Sequence, residues 1–396
     1  MSTSDKSLSP PGRSDTASYR DEWAVLLECA SATPNPQRLR ELASRVDWSR
    51  LLVLAEEHGV IGHLAARLPE LHENIVSTEK KAALVELHRA QLFRTLGMIR
   101  ELFHLLQLFA GKDISSLVVK GPVLAVDAYG DAAVRSYGDL DLLVRQRDIR
   151  GATEVLEAAG YEAAVPLSAI DARKIPGQYL FTRSESRLLV ELHNDLTLRY
   201  FPRRLPIEEL FARATRVRLD GHEVPALSVE DELVYISVHG ATHLWERLGW
   251  IADVAALVTR QKEIDWQAVT KASEQVGAER MLATGLCLAS DLLQARLPAP
   301  VLARLERDGG AAKLAGSVRR WLAGTGHAPP TLLERAAFRL GMRGNRFFAP
   351  AYLLRLSLSP TEEDWKPGAP ENRHGFFDAL RRPFRLSRKY GRGNKS

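Results

Sequence analysis

Residues 138–145, GDLDLLVR, alternate acid with leucine. Side chains along a strand point to opposite faces in turn, so Asp139 and Asp141 share one face while Leu140 and Leu142 occupy the other. A strand with an apolar face has to pack that face, and packing aims the two acids in a fixed direction. Their Cα atoms then lie roughly 6–7 Å apart, because each strand residue rises ~3.3 Å. Both carboxylates can reach one divalent cation. Hard oxygen ligands of this kind select Mg²⁺ or Mn²⁺, which use one or two carboxylates together with waters and substrate phosphates.

What surrounds this strand says more than the acid pair alone. From Glu22 to about Gly111 apolar residues recur at helical spacing, as in Leu102, Leu105, Leu106 and Phe109. The pattern then shifts to a short β-rich run, Ile114 to Val119, closed by Lys120-Gly121-Pro122 and followed by a helical stretch to Tyr129. Pro122 suits a first helical turn, where its missing N–H costs nothing. After the acidic strand, Asp148 is placed to cap a helix that Gly160 ends. Residues 177–193 read as a hairpin, GQYLFTR and RLLVELH, joined at Ser184-Glu185-Ser186, and 217–227 as a second hairpin turning at Asp220-Gly221. Ser228 and Asp231 resemble a capping box opening one long helix through Val258. His58-Gly59 ends a helix in the N-terminal region and reads as structural.

The expected fold class is α+β. A small mixed sheet over 113–228 is flanked by a helical region over 21–112 and another over 229–358. Residues 1–20 read as a disordered leader, rich in Ser, Asp and Pro, and 359–396 as a C-terminal segment with a basic tail. Composition agrees with a globular chain, at 45% hydrophobic and 26% charged over 396 residues. Cys29 and Cys287 form no metal-ligand spacing, so neither a disulfide framework nor a zinc site is indicated and a reducing, cytoplasmic setting fits best. No apolar run approaches the ~20 residues needed to cross a bilayer. Seven basic residues and no acid lie within 379–396, a tail that can reach phosphates of nucleic acid or of membrane lipid but reads first as a solvated or docked terminus. GxGxxG, GxxxxGK[ST] and GxSxG signatures are absent, which removes the main support for P-loop and hydrolase readings.

With these residues in view, the chain resembles the polymerase β-like nucleotidyltransferases, and within them a bacterial family described only as uncharacterised nucleotidyltransferases. The resemblance is carried by VVKGPVLAVDAYGDAAVRSYGDLDLLV at 118–144, VELH at 190–193 and HGATHLWERLGWIADVAAL at 239–257, with SPTEEDW at 359–365 and RRPFRLSRKY at 381–390 also familiar. It implies a catalytic and metal-binding trio of Asp139, Asp141 and Glu191, the last as a third acid on a neighbouring strand. It also implies nucleotide contacts from Lys120, Gly121 and Arg135. Gly121 matches the turn whose backbone N–H groups and following helix meet phosphate. The superfamily usually has Gly-Ser or Gly-Gly there; in this chain either Lys120 supplies charge in place of the serine hydroxyl, or turnover is weak or lost. Arg135 is either a triphosphate contact or a surface arginine paired with Asp131.

His239 and His243, at i and i+4, share a helix face, and the packing reading is preferred to a metal site because Gly240 stands where HExxH chemistry needs Glu. Trp245, Trp250 and Asp253 continue the same expected helix and either build its packing surface or border the nucleotide.

The function implied is metal-dependent transfer of a nucleoside monophosphate from a nucleoside triphosphate, with Mg²⁺ or Mn²⁺, to a small molecule, a sugar phosphate, a protein side chain or an RNA end, releasing pyrophosphate. The alternative is a catalytically weak or inactive nucleotide-binding regulatory protein of the same fold. If the two aspartates hold metal, Asp139→Asn and Asp141→Asn are expected to abolish metal-dependent nucleotide binding while stability holds or rises, since mutual repulsion is relieved; if they only cap turns or pair with arginines, the same substitutions lower the melting temperature and leave nucleotide binding untouched.

Overall fold

The structure is a computed structural model that describes residues 19–71, 75–165, 177–183, 188–195, 207–322 and 330–343. Residues 1–18, the hairpin turn at Ser184-Glu185-Ser186 and everything beyond 343, including the basic tail, lie outside the described residues.

Five helices come first: α1 (Arg20–Ala30), α2 (Pro36–Ala43), α3 (Trp48–Glu57), α4 (Ile61–Arg67) and the long α5 (Thr78–Ala110). The buried residues of α5 include Leu84, Gln91, Thr95, Met98, Leu102, Leu105 and Phe109, a stripe with steps of three, four and seven whose first part, at Leu84, joins the helical core and whose last part, from Met98 to Phe109, packs on the sheet. His58 and Gly59 end α3, with Gly59 at φ +68°.

The sheet follows. β1 (Ser116–Val118) leads into α6 (Gly121–Tyr129), then β2 (Asp139–Val144), α7 (Ile149–Ala158), β3 (Glu162–Ala163), β4 (Gln178–Arg183), β5 (Leu188–His193), α8 (Ile207–Ala212), β6 (Thr215–Leu219) and β7 (His222–Ala226). The strand order is β3-β4-β5-β2-β1-β7-β6, with β2 parallel to β5, β1 parallel to β7 and the remaining pairs antiparallel. The mixed sheet and flanking helices are an α+β fold. Both expected hairpins form, and Asp220 at φ +46° with Gly221 at φ +80° makes the primed turn that suits a two-residue loop.

The sheet separates two apolar cores. On one face Leu140, Leu142, Val144, Val190, Leu192 and Phe181 pack with Leu102, Leu105 and Phe109 of α5 and with Ile149, Ala152 and Leu156 of α7. Leu117, Val119 and Leu143 face the other way, into the core shared by the N-terminal and C-terminal helices. Those later helices are α9 (Val229–Thr242), α10 (Leu248–Arg260), α11 (Trp266–Val276), α12 (Glu279–Leu293), α13 (Ala299–Arg307), α14 (Gly309–Leu322) and α15 (Leu332–Gly341).

Two local expectations change. Asp148 precedes α7 but its side chain makes no capping bond. The segment 229–258 is two helices, because Leu244 at φ +59° and Trp245 at φ +53° turn the chain between α9 and α10. Ser228 does cap α9, accepting from the Asp231 backbone N–H at 3.2 Å. No helix among the described residues is long and apolar enough to cross a membrane.

Candidate active site

In the parallel β2–β5 ladder Asp141 lies directly opposite Glu191, and Asp139 opposite Leu189. Asp139, Asp141, Glu191 and His193 therefore share one sheet face, while Leu140, Leu142, Val190 and Leu192 are fully buried on the other. A cleft of about 560 Å³ opens along the polar face. Its sheet side carries Asp139, Gln178, Glu191 and His193, and its helix side carries Tyr235, His239, His243, Arg247 and Trp250. Lys120 and Arg135 also line it; Gly121 is buried and does not.

Asp141 is the most enclosed of the acids, at 1% exposure. Its Oδ1 accepts from His193 Nε2 at 3.0 Å and meets Lys120 Nζ at 3.2 Å, while its Oδ2 is buried without a hydrogen-bond partner. Burial alone would push this carboxyl up, but the Lys120 ammonium and then His193 outweigh it and hold Asp141 well below the usual carboxylate range. Asp139 goes the other way. Burial first, then the nearby Asp141 charge, raise it to about 6, with Lys120 and Arg135 opposing. Glu191 Oε2 accepts a short hydrogen bond from Gln178 Nε2 and lies 3.6 Å from His193 Nε2. Ligand-type atoms of Asp141, Glu191 and His193 all lie within 4.8 Å of one another. For His193 burial lowers the pKa, yet its bonds to Asp141 and Glu191 prevail and raise it to about 9.

Lys120 precedes α6 at the Gly121 turn, where Gly121 adopts φ +59°, a left-handed conformation that glycine takes without steric cost. Lys120 is 5% exposed and reaches both Asp141 and, at 3.4 Å, His239 Nδ1. Burial and then the Lys120 charge hold His239 well below its ordinary range, so it is neutral and Nδ1 accepts from the ammonium.

Arg135 sits in the loop before β2, which is fixed from below by the N-terminal helices. Gln91 Nε2 donates to Ala133 O at 2.7 Å, and a Cβ on Gly62 would come within 2.2 Å of Val134 O, so only glycine lets α4 approach this closely. Arg135 is buried and pairs with Asp253 of α10 at 2.9 Å, not with Asp131, whose carboxylate caps the Ala133 N–H. Asp253 also accepts from Tyr129 Oη at 3.0 Å. Nη1 of Arg135 is buried with no partner.

The helix side of the cleft depends on the break between α9 and α10. The rings of His239 and His243 are 4.7 Å apart, and each is 5.3 Å from Trp250 of α10. Trp245, by contrast, points inward, and its indole lies so close to Gly240 and Gly285 that a Cβ at either would fall within 2.4 Å and 2.9 Å of ring carbons. Of the two tryptophans, Trp245 is packing and Trp250 is cleft wall.

Sequence reasoning gave His193 and Gln178 no role. The signal was present for His193: in VELH it follows Glu191 by two and so shares its face. Gln178 could be found only from the β4–β5 pairing, which sets it beside His193.

No curated protein matches the chain. Among solved structures, the crystal structure of the lincosamide antibiotic adenylyltransferase LnuA with lincomycin bound is similar at 17% identity, over 34% of this chain and 83% of that one, with a TM-score of 0.27. Agreement that loose carries no argument about fold, substrate or mechanism. Residues 44–294, which contain all seven strands and both walls of the cleft, match the family described as uncharacterised nucleotidyltransferase, and this chain, a transferase enzyme, belongs to that family.

Proposed function

We propose that the protein transfers a nucleoside monophosphate from a nucleoside triphosphate to an acceptor, with divalent metal held by Asp139, Asp141 and Glu191. The observation that supports this best is the register that sets Asp141 opposite Glu191, with Asp139 two residues before it on the same face. The donor set fits a hard divalent ion: carboxylates on two strands converge, and Asp141 Oδ2 is a buried oxygen with no donor of its own. When bound, Mg²⁺ or Mn²⁺ supplies charge stabilisation for phosphoryl oxygens and lowers the cost of the in-line displacement.

The chain's own residues do the rest. Lys120 and the unpartnered Nη1 of Arg135 offer positive charge to the phosphates, and Pro122 leaves the first turn of α6 one N–H short for that task. Glu191 accepts the acceptor's proton. Tyr235, His239, His243 and Trp250 shield one side of the cleft from water. A volume of about 560 Å³ lies within the roughly 300–1,000 Å³ range of small-molecule sites, which supports a nucleotide with a small acceptor.

The second reading, a nucleotide-binding protein with little or no turnover, is favoured by the Lys120–Asp141 ion pair, which occupies Asp141 Oδ1, an oxygen a metal would otherwise use. Incubation with each of the four nucleoside triphosphates and Mg²⁺ or Mn²⁺, followed by pyrophosphate detection, separates them. Metal-dependent pyrophosphate release supports transfer; tight nucleotide binding without any release, under every condition, supports the second.

A further inference from the structure

His193 places its Nε2 in the gap between two acids, 3.0 Å from Asp141 Oδ1 and 3.6 Å from Glu191 Oε2. Ligand atoms at adjacent positions around an ion with bonds of roughly 2.0–2.2 Å are themselves about 3 Å apart. The first edge, now spanned by a hydrogen bond, already has that length, the second is longer by about half an ångström, and ligand-type atoms of all three residues lie within 4.8 Å of one another. A separate observation points the same way. Asp141 is 1% exposed; Lys120 and His193 meet its Oδ1, but its Oδ2 is buried with no hydrogen-bond partner, which leaves that oxygen open to an ion. The ring is also held in place, buried at the end of β5 with its edge toward Tyr235, the two centroids 6.5 Å apart and the planes at 87°.

We infer that His193 is a nitrogen ligand of the ion held by Asp141 and Glu191, and that it turns the site's preference from Mg²⁺ toward Mn²⁺ or another first-row divalent ion. The inference rests on the metal site proposed above and adds the ligand that selects its occupant. Mg²⁺ takes oxygen ligands in a strict octahedron, whereas first-row transition ions accept imidazole readily. His193 coordinates as the neutral imidazole through Nε2 with its hydrogen on Nδ1, and the proton that Nε2 holds toward Asp141 passes to solvent. Asp139, on the same face, remains free to meet a phosphate-bound ion.

The test uses the full chain with Mn²⁺ alone. The electron spin-echo of bound Mn²⁺ should carry nitrogen modulation, and that modulation should vanish in His193→Gln. Direct titration should show Mn²⁺ bound more tightly than Mg²⁺, with His193→Gln lowering Mn²⁺ affinity by about 10-fold or more and Mg²⁺ affinity by less. Bound Mn²⁺ without nitrogen modulation, modulation that survives in His193→Gln, no Mn²⁺ bound at all, or equal loss of both metals would each overturn the inference. Absence of nitrogen modulation in the wild type overturns the inference by itself, and His193→Asn, read in the same way, serves where His193→Gln fails to fold. Nucleotide turnover with an all-oxygen Mn²⁺ site would sink this inference and leave the proposed function standing; nitrogen modulation without turnover on any nucleotide would do the reverse.

Discussion

Asp139 and Asp141 are two residues apart on one strand, yet their surroundings give them opposite behaviour. Asp141 is enclosed and paired with Lys120 and His193; Asp139 has a raised pKa because burial and the neighbouring acids oppose its charge. The expectation that either Asn substitution holds or raises stability is therefore revised for Asp141. Asp141→Asn leaves the Lys120 ammonium buried without its counter-ion and should cost ~3–5 kcal/mol in chemical denaturation. Asp139→Asn removes a disfavoured charge, so its unfolding midpoint should stay level or rise. Equal effects of the two would contradict the pairing. The sequence alternation was enough to put both acids on one face, and VELH enough to add Glu191. The difference between them was not legible, because His193 meets Asp141 only through a parallel pairing between strands some fifty residues apart, and Lys120 meets it only through the antiparallel pairing of β1 with β2. Arg135 shows the same limit: its partner Asp253 lies over a hundred residues away, and local spacing pointed to Asp131.

Helices α9 and α10 bring the imidazole and indole rings to the cleft only because the chain turns at Leu244 and Trp245. Nothing in THLWERL announces a break: it contains no glycine or proline, and the apolar spacing continues across it. The turn is held by burial of the Trp245 indole against Gly240 and Gly285, so that tertiary packing offsets two left-handed residues that local preference resists. Gly240→Ala should clash with that ring and destabilise the protein by ~1–3 kcal/mol, and Trp245→Leu in the same chain should recover part of the loss. Additive losses in the two-variant cycle would mean that the glycine is small for some other reason. By contrast, the hairpin at Asp220-Gly221 and the Ser228 cap were legible residue by residue, because each is a local device.

At the scale of the whole molecule, the α+β class and the order of helical and β-rich regions followed from periodicity, while the sheet order, with β5 beside β2, did not. The fold also carries buried histidines. Burial, then Arg67 and Arg135, lower His63 to about 4, and both its ring nitrogens lack partners. Unfolded histidine titrates near ~6.5, so between pH 6.5 and 4 the unfolded chain takes up a proton that the native state refuses. The stability tied to His63 is present above that window and lost as pH falls through it, on the order of 3 kcal/mol in total. Asp127, Asp139 and Glu232, all with raised pKa values, act in the opposite sense, which makes the readable quantity a difference. His63→Phe, which keeps the edge contact with Tyr129, should melt at an increasing advantage over wild type from pH 7 to pH 5; a constant offset would contradict the buried neutral imidazole.

The central claim is that the acids on β2 and β5 hold metal against a nucleoside triphosphate. Calorimetric titration of nucleoside triphosphate with Mn²⁺ into wild type and Asp139→Asn, beside a melting curve for each, tests it without knowledge of the acceptor. Metal-dependent binding in wild type that collapses in Asp139→Asn while the melting temperature holds or rises is the predicted result. Unchanged metal-dependent nucleotide binding in a folded Asp139→Asn protein would contradict it.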